Sequence, residues 1–247
     1  MKGIQSKIMR RVSRRTDRST LPQIQNSIIS FSFDDCPKSA FTNGLPQLET
    51  EGWRATIYIA CGLCETTNHL GLHVSEADIV DAYNRGHEIA DHTYSHLSAD
   101  AVEINTYMAD IERNQLKLQQ LGLPESRHFA YPYGHVSPPL KKALRTRFET
   151  LRGVVTSTTS TQDANLMWAT RIYSNDSIGL ALEKIKQAKL APQWLHLFTH
   201  DVRDTPSKFG CTREDFQIII NAVKDSGLQV MTVDEAYRSI TETSLPA

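Results

Sequence analysis

The sequence predicts an α/β fold: a mostly parallel barrel of irregular form. Strand-like and helix-like segments alternate along the chain, which favours parallel strands joined by helical crossovers. Seven or eight strand candidates fall within roughly 220 residues, the scale of one barrel domain. The 247 residues are 40% hydrophobic and 22% charged, an ordinary globular balance.

The elements follow in order. Residues 27–33, Ser-Ile-Ile-Ser-Phe-Ser-Phe, read as a strand ending at Asp34 and Asp35. A helical pattern near 39–51 leads to a second strand at 54–60. Ser75 with Asp78 three residues on is a capping-box variant that starts another helix. A short strand at 87–91 precedes the longest helical pattern, 99–121, which Gly122 stops. Further strands are expected at 127–131, 152–157, 169–173, 194–199 and 228–232, with helices near 137–148, 177–189 and 213–226. Pro132, Pro138, Pro139 and Pro192 punctuate the connections.

Charge divides the chain unevenly. Lys2, Lys7, Arg10, Arg11, Arg14, Arg15 and Arg18 face a single acid, Asp17, in the first 18 residues; the rest carries a net charge of −7. Residues 1–26 therefore read as a basic arm and 27–247 as one domain. The arm is either self-docked or drawn to an anionic membrane surface or glycan. It has no apolar stretch, so the expectation is a cytoplasmic protein, membrane-peripheral at most, without a transmembrane segment. No nucleic-acid partner is expected. Cys61 and Cys64 have C-x-x-C spacing; alone this is a weak signal, and reduced, buried thiols are the plainer reading.

Chemistry concentrates at strand ends, where parallel barrels carry it. Asp34 and Asp35 end the first strand, and adjacent carboxylates there point in different directions. In Asp91-His92-Thr93-Tyr94-Ser95-His96, a helical turn would put His92 and His96 on one face, a frequent half-site for zinc. Two histidines and a carboxylate leave metal positions open for water and substrate. His200 ends a later apolar strand, where a histidine suits general acid work. His196, four residues earlier, faces the same side but deeper. The Tyr131-Pro132-Tyr133-Gly134 turn could offer a backbone N–H to an oxyanion.

In this order these segments resemble the polysaccharide deacetylases of carbohydrate esterase family 4, the NodB-homology domain. The family's Thr-Phe-Asp-Asp-Gly corresponds to Ser32-Phe33-Asp34-Asp35-Cys36. Its His-Ser/Thr-x-x-His is met in full by His92-Thr93-Tyr94-Ser95-His96. Its Arg-x-Pro-Tyr/Phe-Gly corresponds to Ala130-Tyr131-Pro132-Tyr133-Gly134, and its last motif ends a strand in a histidine, here His200. The likeness spans about residues 27–235. It implies a distorted (β/α) barrel with about seven parallel strands, and one divalent metal ion, usually zinc, on Asp35, His92 and His96. It also implies Asp34 as base, His200 as general acid and the Tyr133 N–H as an oxyanion donor.

Three departures stand out. Cys36 replaces a glycine, so the loop must accept a side chain. Ala130 replaces the arginine that orients the base; Arg171 is the expected substitute. The fourth motif, an aspartate and a tryptophan, has no clear counterpart, although Asp176 and Trp194 are candidates. The 202–210 stretch after His200 reads as a specificity loop. The implied reaction is removal of N-acetyl groups from an amino-sugar glycan or its cytoplasmic precursor. Two alternatives stay open: a metal-dependent hydrolase of another linear or cyclic C–N amide bond, and a glycan-binding relative without catalysis.

Overall fold

The computed structural model describes residues 2–155, 162–174 and 176–242, the side chains from residue 8 onward. Its strands are β1 Ile28–Asp34, β2 Thr56–Ile59, β3 Thr67–Asn68, β4 Gly71–Leu72, β5 Glu88–Asp91, β6 His128–Ala130, β7 Thr150–Arg152, β8 Thr170–Arg171, β9 Trp194–Thr199 and β10 Gln229–Val230. The helices are α1 Lys2–Ser13, α2 Leu45–Thr50, α3 Glu76–Asn84, α4 Ile104–Gln120, α5 Pro138–Leu144, α6 Ile178–Leu190, α7 Arg213–Ser226 and α8 Val233–Glu242.

Seven parallel strands run in the order β7-β6-β5-β2-β1-β9-β8, and β10 pairs beside the start of β1. The sheet curls until its two edges face each other. Residues 164–167, on the way into β8, close the seam: Leu151 N–H donates to Ala164 O at 2.7 Å and Met167 N–H to Leu151 O at 2.7 Å. The barrel expected from the alternation of elements is thus the fold observed, although β3 and β4 make a separate antiparallel hairpin.

Alternation along β1 explains how the sheet curls. Ile29, Phe31 and Phe33 are fully buried towards the helices, where Phe31 and Phe33 lie 5.9 and 5.7 Å from the Phe216 ring of α7. Ser30, Ser32 and Asp34 take the opposite face, the barrel interior. That interior is polar, and β9 adds Trp194 and His196 to it, with Trp194 Nε1 donating to Ser30 Oγ at 2.9 Å. His196 is buried, neither ring nitrogen has a hydrogen-bond partner among the described residues, and burial, helped by Arg152 and His128, pulls its pKa down to about 3.

Two sequence expectations shift and one holds. The longest helix begins at Ile104 rather than 99. The strand expected at 152–157 is found at Thr150–Arg152, and residues 156–157 lie outside the described ones. The capping box at Ser75 forms, with Asp78 Oδ2 accepting from Ser75 N–H at 2.8 Å. The far end of the basic arm is docked: fully buried Lys141 of α5 donates from Nζ to Ser13 O at 2.9 Å, Thr16 O at 2.7 Å and Asp163 Oδ2 at 2.6 Å. No described helix is long and apolar enough to cross a membrane.

Candidate active site

All seven candidate residues line one cavity of about 490 Å³ at the C-terminal end of the barrel: Asp34, Asp35, His92, His96, Tyr133, Arg171 and His200. The chain reaches this point under backbone constraint. Asp35 and Cys36 both adopt left-handed conformations, φ 66° and 62°, which turn the chain back over the end of β1. Asp34 stays on the strand with its side chain in the barrel, while Asp35 swings to the mouth. Cys36 stands where the motif that the chain resembles has glycine, and its thiol is fully buried among helix-side core residues. Packing holds a conformation that costs a non-glycine residue about 1–3 kcal/mol.

His92 and His96 are not on a helical turn. Thr93 and His96 have φ 60° and 52°, so residues 92–96 form an irregular loop that brings the two rings to 4.9 Å. Helix α4 holds this loop through a buried polar stripe. Asp110 accepts from Ser95 N–H at 2.8 Å and Ser95 Oγ at 2.9 Å, Asn114 accepts from Cys61 N–H at 3.0 Å, and Gln115 donates to Asp91 at 2.9 Å. Asp91 also accepts from Thr93 N–H at 2.8 Å; burial nevertheless pushes its carboxyl up to about 7.

The result is a convergent donor set. His92 Nδ1 lies 2.7 Å from Ala130 O; a carbonyl only accepts, so Nδ1 carries the hydrogen and Nε2 presents a lone pair. His92 Nε2 and His96 Nε2 lie 3.2 and 3.1 Å from Asp35 Oδ1, and the three atoms fall within 4.8 Å of one another. Asp35 Oδ1 is buried and has no hydrogen bond directed at it among the described residues. Three lone-pair atoms aimed at one point, with an orphaned carboxylate oxygen among them, fit a bound cation. Burial opposes charge on Asp35, but the two imidazoles beside it outweigh this and hold its carboxyl well below the usual range. Burial lowers His96 despite Asp35, whereas His92, between two carboxylates, is raised.

Asp34 has a different partner. Arg152 Nη2 donates to Asp34 Oδ1 at 2.5 Å, and both side chains are buried. Strands β6, β5 and β2 separate β7 from β1 in the sheet, so this contact crosses the barrel interior. The guanidinium lies 4.6 Å from the Tyr58 ring centroid and 4.8 Å from that of Phe198, and Arg152 Nη1 donates to Gly153 O at 3.1 Å. Arg171, the expected substitute, is not beside Asp34. It is exposed and pairs with Asp176 at 2.9 Å. The strand register supplies the reason: Ala130 of β6 pairs with Arg152 of β7, so the arginine missing from position 130 is replaced by its neighbour across the ladder. Asp176 is committed to Arg171, and Trp194 lies deep in the barrel beside His196, so neither supplies the fourth motif here.

His200 continues β9 into the mouth. Its Nδ1 lies 3.1 Å from Phe209 O and must donate to that carbonyl, which leaves Nε2 free for the cavity. Tyr133 sits in a left-handed turn, φ 59°, with its ring 4.5 Å from that of His96.

The sequence profile of the polysaccharide deacetylase family matches residues 23–147, which carry the strand-end aspartates, both loop histidines and the Tyr-Pro-Tyr-Gly turn. The chain belongs to the polysaccharide deacetylase family. No curated protein sequence matches this deacetylase significantly. Solved structures do. The Xyl-CE4 domain of a multidomain xylanase from the hindgut metagenome of Trinervitermes trinervoides matches with TM-score 0.63 and 18% identity, covering 87% of this chain and 91% of its own. The chitin deacetylase of the fungal pathogen Colletotrichum lindemuthianum gives 0.61 and 15%, covering 87% and 89%. A family 4 acetyl xylan esterase from Clostridium thermocellum, solved with a cobalt ion, gives 0.59 and 19%, covering 89% and 93%. At these identities the structures establish the shared barrel.

Sequence reading missed three contributors to this deacetylase site, Arg152, Tyr173 and His69. Arg152 was hidden because its neighbour in space is 118 residues away in sequence. A signal existed: a strand-like Thr-Leu-Arg-Gly run places a charge on the same face as Thr150, inside the barrel. Tyr173, His69 and Phe209 complete the walls, and of these only Phe209 fell in the segment read as a specificity loop.

Proposed function

We propose that this polysaccharide deacetylase removes N-acetyl groups from an amino-sugar glycan, using a divalent metal ion held by Asp35, His92 and His96. The observation that carries this is the convergence of that donor set, the Asp34–Arg152 pair and His200 Nε2 on one cavity. Two imidazoles and one carboxylate suit zinc, and cobalt, the ion in one structural neighbour, prefers similar donors.

Asp35, His92 and His96 would hold such a cation, which would supply polarisation of the scissile carbonyl and a lower pKa for water. Asp34 accepts the proton of the attacking water. Arg152 fixes one oxygen of Asp34 and so aims the other at the cavity. The Tyr133 N–H donates to the oxyanion that develops on the amide oxygen. His200 delivers a proton from Nε2 to the departing nitrogen, which leaves poorly unless protonated. Its Nδ1 partner is the neutral Phe209 carbonyl, which fixes the ring. A membrane role for the arm rests on charge beside apolar surface: Arg11 and Arg15 are exposed next to exposed Ile8 and Val12 on the same segment.

Acetate release from N-acetylglucosamine oligomers with added divalent metals tests the reading. Activity that chelation abolishes is expected. Asp34→Asn should keep the metal and lose about 10²–10⁴-fold in turnover. Near-normal activity in that variant would overturn the base assignment, and no acetate release from metal-loaded wild type would overturn the reaction.

A further inference from the structure

One side of the cavity is bridged. In the sheet, β2 and β9 flank β1. The β3–β4 hairpin follows β2, and the 201–210 segment follows β9. These two loops meet: the His69 and Phe209 rings are 5.7 Å apart, edge to face, and Arg203 Nη2 donates to His69 O at 3.4 Å. Since the loops rise from strands on either side of β1, their contact spans the end of β1, where Asp34 and Asp35 sit.

Both arms of the bridge are anchored. Fully buried Asp201 accepts from Arg203 Nε at 2.8 Å, Ser207 N–H at 2.8 Å and Ser207 Oγ at 2.5 Å, which ties the 201–210 segment to the end of β9. Behind the hairpin, Val74 N–H donates to Cys36 O at 3.1 Å and Glu65 N–H to Val74 O at 3.0 Å, which ties it to the turn after Asp35. Aromatic rings extend the wall: Phe209 lies 5.6 Å from His200 and 6.1 Å from Tyr173. A substrate chain passing through the site would need exits on opposite sides of the reacting carbonyl. The bridge takes the exit over β1 and leaves an approach from the far side of the barrel, past Tyr133 and Val154, which follow β6 and β7.

We infer that the enzyme acts on an acetylated amino sugar at the end of a chain or in a short oligosaccharide, not on internal residues of a threaded polymer. This rests on the deacetylase reading above and narrows its substrate. The cavity volume, about 490 Å³, agrees: small-ligand sites run to roughly 300–1,000 Å³, and an end-on sugar fills such a space against an aromatic wall.

The test uses metal-loaded wild type and N-acetylglucosamine oligosaccharides from the dimer to the hexamer, labelled at the reducing end. Tandem mass spectrometry locates each freed amine. One terminal position is expected to react at every length, with kcat/KM changing by less than about threefold beyond the dimer, since distal sugars make no contacts that could strengthen in the transition state. Deacetylation spread over internal positions, or a rise of about tenfold from dimer to hexamer, would overturn the length limit and leave the deacetylase reading intact. No acetate from any of them would overturn that reading and this inference together. Replacing the bridge with His69→Ala and Phe209→Ala is expected to move reaction into internal positions of the hexamer; unchanged end selectivity would overturn the role of the bridge. Calorimetric binding of the same series to Asp34→Asn provides a second measurement. Affinity that levels off at the dimer supports the inference, and affinity that climbs to the hexamer refutes it.

Discussion

Among the described residues, two groups of three side chains that could hold a metal ion sit at opposite ends of the same barrel: Asp35, His92 and His96 at the C-terminal end, and His128, Glu149 and Asp234 at the N-terminal end. Counted by residue type they look alike. They differ in what surrounds them. At the lower end, Arg127 pairs with both Glu149 and Asp234, and Arg238 holds Asp234 at 2.9 Å. His128 spends Nε2 on Asp234 at 3.3 Å and Nδ1 on Thr150 Oγ1 at 2.8 Å. That charge is already balanced by protein. At the upper end no arginine among the described residues pairs with Asp35, and buried Arg152 is committed to Asp34. The donors left unpaired by protein cations are those at the C-terminal face, where parallel barrels carry their active sites.

Variants at each end can break this contrast. The largest effect is expected from His92→Ala, which should weaken metal binding by more than about 100-fold, because even outer-shell changes at metal sites cost about 10–100-fold. Metal analysis after dialysis reads this directly; one retained equivalent of zinc would refute the ligand set.

Next in size is the cross-barrel pair. Arg152→Ala should lower kcat about 10- to 100-fold by freeing Asp34 from its working position. Loss of stability alone would produce a similar drop, so the deciding measurement is rescue. Ala130→Arg combined with Arg152→Ala restores a cation at the paired position on β6, and most of the activity should return. A double variant no better than Arg152→Ala would show that Arg152 acts by packing.

Between the two ends lies His196, neutral in the barrel with a pKa near 3. Unfolded, a histidine takes up a proton near 6.5, so from there down to about 3 the unfolded chain binds more protons than the folded one, and stability falls as pH falls. The slope from this residue alone is at most about 1.4 kcal/mol per pH unit. His196→Gln should unfold less readily in acid relative to its own stability at pH 7. An unchanged slope in denaturant titrations would mean that the folded barrel accepts the proton. The smallest effect belongs to the lower triad: His128→Gln should leave metal content at one equivalent and activity within about twofold, since the proposed catalytic residues line the other face. Loss of metal there would erase the contrast between the ends.

The alternation of elements was enough to read the barrel, because strand and helix periodicities are local properties of the chain. The donor set was also legible, since Asp34 and Asp35 are adjacent and His92 and His96 lie within one loop. Its geometry was not. A helical turn was the natural expectation for two histidines four apart, and the left-handed Thr93 and His96 arise from the α4 residues that hold the loop. Arg152 could not be read because pairing across the barrel depends on how far the sheet curls, a property of all seven strands together. The choice of Arg171 failed for the same reason: a strand-end position says which rim a residue reaches, not which side chain it faces across the hollow.

The pairing of Ala130 with Arg152 has an evolutionary consequence. One cation serves Asp34 from Arg152, and the motif that the chain resembles places its arginine at the paired position on the neighbouring strand. A chain with arginine at both would crowd two charges into one buried space, and a chain with arginine at neither would leave a carboxylate without a counterion. Passage between the two arrangements therefore runs through a disfavoured intermediate. Related chains are expected to fall into two populations, arginine first or arginine second, with few between. A motif search that requires arginine at the first position would discard the second population as inactive, this chain included.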